Sequence, residues 1–298
     1  MRGNEMVQIK NFEEAERLFR EAIRLDSCFA EAWNNLGTLQ FNRTNFEDAQ
    51  ASYTHALDCK PDFTDARINR ANAAYRLGEW YVALADLEKV DEVKPDTIAS
   101  LQLRGLIYTG MQDYKQAEET FKKLLSLRAG DFEALVNLGT VLYYAGKLDS
   151  AETVTVHAIA LNPNEPNGYN TLALIETERG NFDNAMEWVG KALELRPGDA
   201  YFLNNRGYIY LMTSQLPEAV KDINESMVSD PSNAWVHRNK GIYYYMAGDP
   251  DNAIRLLEQA LRMDPGLPRA GEFMGLSYRM KGNDEAAARW LTESENSR

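Results

Sequence analysis

Cysteine and histidine are scarce in this chain, and most metal and thiol chemistry goes with them. The 298 residues hold two cysteines, Cys28 and Cys59, and three histidines, His55, His157 and His237. Metal ligands must converge on one point. His55 and His157 are far apart in equivalent places of a repeating pattern, so a metal site is not expected. The two cysteines read as free, partly buried thiols rather than a disulfide framework. Their scarcity fits a reducing compartment. Long apolar runs are also missing. Nothing approaches the roughly 18 apolar residues of a membrane span, and the opening MRGNEMVQIK has no apolar stretch of the kind a secretory signal needs. Cations are in deficit, with 32 Lys and Arg against 45 Asp and Glu and a net charge of −13. Such a chain lacks the clustered positive charge that tracks phosphates, so nucleic acid is excluded as a partner and basic or neutral partners are favoured. No glycine-rich phosphate loop, nucleophile elbow or zinc-ligand spacing occurs. The expectation is no enzyme, no cofactor and no metal.

What is present is a period. Stepping by 34 residues in both directions from Ala49 reaches Ala15, Ala83, Ala117, Ala151, Ala185, Ala219, Ala253 and Ala287 without a slip in register. A fixed period of this size marks a repeat architecture, which grows by stacking and needs no single central core. The stretch from Ala30 to Phe63 serves as the template. Apolar residues at helical spacing predict a first helix from about Ala30 to Asn42 and a second from near Phe46, joined by the turn RTN. Pro61, Pro95, Pro163, Pro197, Pro231 and Pro265 share the closing slot, where Ala129 stands once instead. Proline cannot continue a helix and so marks the stop. The other four prolines fall at expected helix starts: Pro166 and Pro268 at first helices, Pro217 and Pro250 at second ones. Gly3, Gly37, Gly105, Gly139, Gly207, Gly241 and Gly275 share a mid-helix slot. Glycine costs up to about 1 kcal/mol there, so its recurrence predicts a close helix–helix approach.

These residues carry a resemblance. The motif W-x2-L-G…Y…A-x3-F…A…P, quoted from Trp33, Leu36, Gly37, Tyr53, Ala56 and Pro61, resembles the tetratricopeptide repeat over essentially the whole chain. The resemblance implies an all-α, right-handed solenoid of helix-turn-helix units. A partial leading repeat covers 1–29. Eight repeats follow, at 30–63, 64–97, 98–131, 132–165, 166–199, 200–233, 234–267 and 268–298, read as one continuous domain. Arg2 and Gly3 match Arg104-Gly105 and Arg206-Gly207, so the chain starts inside a repeat. Either a longer natural chain extends upstream of Met1 or a short first helix is tolerated. Polar Thr292, Glu293, Ser294 and Glu295 read as a finished C-terminal face.

The resemblance also implies that first helices line a concave face. One column of that face is rich in asparagine: Asn35, Asn69, Asn137, Asn205 and Asn239, with Asn34, Asn72, Asn170 and Asn204 beside it. Amides offer both donors and acceptors. The column resembles the asparagine ladder in the superhelical repeats of O-linked N-acetylglucosamine transferase, which implies pairing with a peptide backbone. Bonding within the solenoid or to water is the other reading. Tyr201 and Trp235, with Arg238 and Arg76, are candidate side-chain contacts, whereas Tyr208 and Tyr245 read as packing. Acids in early units (Glu31, Asp65, Glu133, Glu178) and arginines in late ones (Arg238, Arg269, Arg279) suggest a gradient that orients a ligand. Acids near helix starts also complement the helix dipole. The slots for the lysines of the family's dicarboxylate clamp hold residues such as Asn34, Ile68, Gln102 and Ala99, so chaperone tails are not expected partners.

The expected function is therefore protein–protein interaction, with an extended partner segment in the groove. The alternatives are a scaffold that self-associates through its N-terminal edge, where Phe12 and Phe19 look poorly covered, and the non-catalytic part of a longer enzyme. A cytoplasmic location is the leaning, with an upstream signal or anchor left open.

Overall fold

The computed structural model describes residues 12–296. Among them lie seventeen helices and no strand, so the fold is all-α. The chain divides into two compact units, 1–145 and 146–298, and the repeat 132–165 contributes one helix to each. In the first unit, α1 (Phe12–Leu25) is followed by α2 (Ala30–Asn42) and α3 (Phe46–Cys59), α4 (Thr64–Arg76) and α5 (Trp80–Val93), α6 (Ile98–Gly110) and α7 (Tyr114–Leu127), and α8 (Phe132–Tyr144). The second unit holds α9 (Leu148–Leu161), α10 (Pro166–Glu178) and α11 (Phe182–Leu195), α12 (Ala200–Met212) and α13 (Leu216–Ser229), α14 (Ala234–Met246) and α15 (Pro250–Met263), and α16 (Ala270–Met280) and α17 (Asp284–Asn296). The slots read at Arg2 and Gly3 lie outside the described residues.

The alanine column is the seam of each hairpin. Eight of its members are fully buried and Ala287 is 1% exposed. The glycine slot faces it. A Cβ on Gly37 would stand 2.7 Å from the Tyr53 ring and 3.1 Å from the carbonyl oxygen of Ala49. Gly241 would meet Leu257 at 2.7 Å and the Ala253 carbonyl at 3.3 Å. The repeated glycine is thus a steric requirement, because the backbone of the second helix and the side chain 16 residues on occupy the space.

Between helices, every full unit places one residue in left-handed backbone. Five are glycines, from Gly78 (φ 76°) to Gly282 (φ 76°), and three are Thr44, Gln112 and Ser214 (φ 62°, 60° and 60°). Two glycines therefore respond oppositely to the same change. Gly248 (φ 80°) sits in this turn, so Gly248→Ala is expected to lose about 1 kcal/mol to left-handed strain. Gly190, within α11, has nothing within 4 Å of an added Cβ. Gly190→Ala is expected to gain about 1 kcal/mol from helix propensity. Urea midpoints of the two variants check both signs.

Two expectations are corrected here. Pro268 does not open a helix. It lies in a turn, Arg269 follows at φ 62°, and α16 starts at Ala270, leaving 11 residues where other first helices have 13. Phe19 is not poorly covered: it is 6% exposed and packs with Leu36, Leu39 and Trp33. Phe12 does remain 42% exposed.

Packing fixes which side of each unit is inner. Each second helix packs on the next first helix, as α3 on α4 and α13 on α14. Successive first helices also touch one another: α2 with α4, α4 with α6 and α6 with α8, then α10 with α12, α12 with α14 and α14 with α16. Among the described residues, successive second helices do not pack together to that extent. First helices therefore crowd the inner side of each unit, and their exposed slots form its face.

Candidate functional site

Hydrogen bonds link successive first helices from repeat to repeat, some at that face and some beneath it. In the first unit, Asn69 Nδ2 on α4 donates to Asn34 Oδ1 on α2 at 3.0 Å, and Asn34 donates to Asn35 Oδ1 at 3.5 Å. In the second, Asn205 Nδ2 on α12 donates to Asn170 Oδ1 on α10 at 2.9 Å. Asn239 Nδ2 on α14 donates to Asn204 Oδ1 at 2.8 Å and to the Asn204 carbonyl at 3.3 Å. Each inter-repeat amide pair spans 35 residues, one more than the period. Bonding within the solenoid thus accounts for one donor of Asn69, Asn205 and Asn239.

The column is not uniform. Asn35, Asn69, Asn72, Asn137 and Asn205 are partly exposed. Asn72 turns its Nδ2 to the Ile68 carbonyl one helical turn back, at 3.1 Å. The amide oxygen of Asn205 accepts from nothing among the described residues. Asn239 is fully buried, and its Oδ1 accepts from Arg238 Nε at 3.0 Å and Nη2 at 2.8 Å. The expectation that Asn239 holds a ligand backbone is therefore corrected, since donor and acceptor are both consumed in the core.

Arg238 requires the same correction. It is 4% exposed. Its guanidinium lies 4.4 Å from the Trp235 ring centroid and 4.8 Å from that of Tyr208, and Nη1 donates to the Pro268 carbonyl at 3.2 Å. Two aromatic faces and three acceptor contacts hold it as an interior cation. Trp235 and Tyr245 are partly buried against the cluster around Ile242 and Leu257, as is Tyr208, while Tyr201 packs on the cluster around Val189 and Phe202. Arg76 is exposed at the end of α4, over Phe46 at 4.5 Å and Phe41 at 6.0 Å.

Arg269, in its left-handed turn, reaches across to α12. Its Nη1 donates to Tyr208 Oη at 2.6 Å and contacts Met212 Sδ at 3.3 Å, while Nε donates to Glu272 at 3.3 Å. Burial alone would lower this guanidinium's pKa, but Tyr208 and Glu272 hold it above the usual value. Beside this bridge lies an open cavity of about 830 Å³, lined by the end of α10, by α12, by the turn 265–269 and by α16 and α17. Of the arginines expected to make the late repeats a basic end, Arg238 is buried and Arg269 is bound to Tyr208 and Glu272, while Arg279 is exposed.

Sequence reasoning missed a set of buried ion pairs. Asp222 on α13 accepts from Arg206 Nε at 2.6 Å and Nη2 at 3.0 Å. Asp86 on α5 accepts from Arg70 Nε at 2.8 Å and Nη2 at 2.7 Å. Both acids are 3% exposed. The signal was available: an arginine in the slot before the glycine position, with an aspartate 16 residues on. The cysteines were also misread. Cys28, before α2, and Cys59, the last residue of α3, form a disulfide with Cα atoms 5.2 Å apart.

Family models described as tetratricopeptide repeats match residues 35–96, 108–175, 166–199, 190–221 and 234–267. The chain belongs to the tetratricopeptide repeat family. Among curated relatives it is similar to protein O-mannosyl-transferase TMTC3 of Mus musculus, 22% identical over 56% of this chain and 20% of the relative. It is also similar to RNA polymerase II-associated protein 3 of Xenopus laevis, 26% identical over 49% of this chain and 22% of the relative. The chain thus spans about a fifth of the length of these relatives. Among solved structures, the Cut9–Hcn1 hetero-tetramer of the APC/C matches with a TM-score of 0.69 at 19% identity, over 96% of this chain and 56% of that one. A tetratricopeptide repeat protein from Parabacteroides merdae matches with a TM-score of 0.67 at 18% identity, over 83% and 98%. These likenesses show the shared fold. No described helix is long and apolar enough to cross a membrane, and no group of three His, Cys, Asp or Glu among the described residues could hold a metal ion.

Proposed function

We propose that this repeat chain is a non-catalytic interaction module that takes an extended segment of a partner protein on the inner face of its first helices. The observation that carries the reading is the open cavity of about 830 Å³ in the second unit, lined in part by the first helices α10, α12 and α16, where aromatic and acidic side chains meet. Asn205 would pair with the segment's backbone through its unengaged amide oxygen, and Tyr201 and Trp235 would contact its side chains. In the first unit, Asn35, Asn69, Asn72 and Asn137, with Arg76, offer a second stretch of the same kind. The likeness to Cut9, which was solved in an assembly with Hcn1, supports a scaffold role.

A random peptide library displayed to the whole chain tests the reading. Extended sequences should be enriched, and the double variant Asn205→Ala/Tyr201→Ala should weaken the best of them by about tenfold or more, the size of loss that marks a binding anchor. No enrichment over bare support, or an unchanged affinity, overturns it. The rival reading, self-association, rests on the exposure of Phe12 (42%) and Leu25 (76%) on α1. It requires the light-scattering mass to rise with concentration.

A further inference from the structure

Thr44 stands apart from the other residues in the left-handed turn within each hairpin. Five units place glycine there, and Gln112 and Ser214 are unbranched at Cβ. Thr44 alone is β-branched, at φ 62°. Left-handed backbone presses Cβ against the following carbonyl oxygen, and a branched side chain makes the position a true outlier. Arg269 adopts the same φ and uses it to reach Tyr208. Thr44 makes no such reach. It is exposed, and its hydroxyl donates to the adjacent Arg43 carbonyl at 2.6 Å. That bond ties it to no other helix. Strain that the packing does not require points to a use for the side chain itself.

The neighbouring residues supply that use. Asn42-Arg43-Thr44 is an Asn-x-Ser/Thr acceptor pattern for N-linked sugar, and the chain holds one other, Asn224-Glu225-Ser226. The structure treats the two differently. Asn42 is the last residue of α2, is exposed, and its amide bonds to no described residue. Arg43 is held by Glu16 on α1. Asn224 lies inside α13, and its Oδ1 accepts from Lys240 Nζ. Ser226 is fully buried, with its hydroxyl donating to the Ala200 carbonyl at 2.7 Å. Only the first pattern offers both its amide and its hydroxyl to an enzyme. The disulfide is a second, independent observation. Cys28–Cys59 joins the two ends of the same hairpin and belongs to oxidising surroundings, the kind in which N-linked sugars are attached.

We propose that Asn42 carries an N-linked sugar and that Thr44 is kept in its strained turn as the hydroxyl the transferring enzyme recognises. The donor is a sugar on a lipid-linked diphosphate. Asn42 Nδ2 attacks the sugar C1, an N–C1 bond forms, and the C1–O bond to the phosphate breaks with its electron pair leaving on the diphosphate. One amide proton passes to a base of the enzyme. Arg43 binds Glu16, one helical turn from the exposed Phe12, so the sugar stands beside the apolar edge of α1 and shields it. The proposal does not depend on what the inner face binds.

The test purifies the whole chain from the cells that make it and treats it, in heavy-oxygen water, with an amidase that releases N-linked sugars. Release turns the bearing asparagine into a labelled aspartate. The intact mass should fall by the mass of a sugar chain, and peptide mapping should place the label at Asn42 in most copies and not at Asn224. Asn42→Gln and Thr44→Ala should each abolish the mass change, while Thr44→Ser should keep it. As unmodified chains made in bacteria with the disulfide formed, Thr44→Gly should unfold at a higher urea midpoint than the parent, because glycine relieves the turn. An unlabelled Asn42 overturns the proposal, as does a label at Asn224 alone. A lower midpoint for Thr44→Gly would show that the threonine is kept for stability and overturn its role as the recognised hydroxyl.

Discussion

Asp222→Ala is expected to destabilise the second unit by about 3 kcal/mol. Removing one partner of a buried ion pair leaves the other charge uncompensated, at a cost of about 3–5 kcal/mol. The lower end applies because the Arg206 side chain keeps 28% exposure while that of Asp222 keeps 4%, so water reaches the stranded guanidinium in part. The carboxylate takes both prongs of the fork, at 2.6 and 3.0 Å, which is the stronger geometry. Hydrogen bonding to Asp222 likewise holds the Arg206 pKa above its usual value against burial. The double variant Arg206→Met/Asp222→Leu should recover most of the loss, since an apolar pair of similar volume escapes the desolvation penalty. Urea unfolding of the three variants measures this. A single-variant loss below about 1 kcal/mol would mean that the pair behaves like a surface contact. Asp86 should respond in parallel in the first unit, where Arg67 stands as a second cation 3.7 Å away.

Reducing the Cys28–Cys59 bond is the second large perturbation. The bond closes a loop of 31 residues. In the chain-entropy account, a closure of that length is worth about 3.5 kcal/mol. Both cysteines lie in the first unit, so the thermal transition of that unit should fall in reductant, and in Cys28→Ser/Cys59→Ser without it, while the second unit stays put. Contacts that remain limit the damage: Trp33 packs on His55 with ring centroids 4.5 Å apart and donates from Nε1 to the Ser27 carbonyl at 3.0 Å. Identical melting with and without reductant would sink the expectation. So would an intact mass showing two free thiols after purification without reductant. A cross-link of this kind persists in oxidising surroundings, so two cysteines are not by themselves a sign of a reducing compartment.

The fold was legible because it is written in small residues. Ala49 and its copies, the closing prolines and Gly37 each answer to a steric demand that recurs along the array, and the alanine column displays it nine times over. Helix bounds were readable too, as for α2 at Ala30–Asn42. The exception was Pro268, where Arg269 trades two residues of helix for a reach to Tyr208. No local rule anticipates a contact made two repeats away. The candidate site was less legible for a related reason. Slot position tells which side of a helix a residue is on, but exposure depends on what the next repeat places over it. Asn205 and Asn239 share a slot, and only Asn239 is sealed, because Arg238 folds onto it where Asn204 sits beside Asn205. The cysteines failed differently. Their 31-residue spacing falls short of the period, so a slot-by-slot comparison never sets them against each other.

The amide links bear on how such an array lengthens. A donor stands at the sixth place of its unit and its acceptor at the fifth place of the unit before, as with Asn205 to Asn170 and Asn239 to Asn204. The unit 200–233 carries both, and both are engaged. A tandem copy of that segment would arrive with its own acceptor and its own donor, each in register to join the neighbours it lands between. Duplication then inserts a repeat already fastened on both sides. The unit 30–63, with Asn34 and Asn35 side by side, keeps the same two ends.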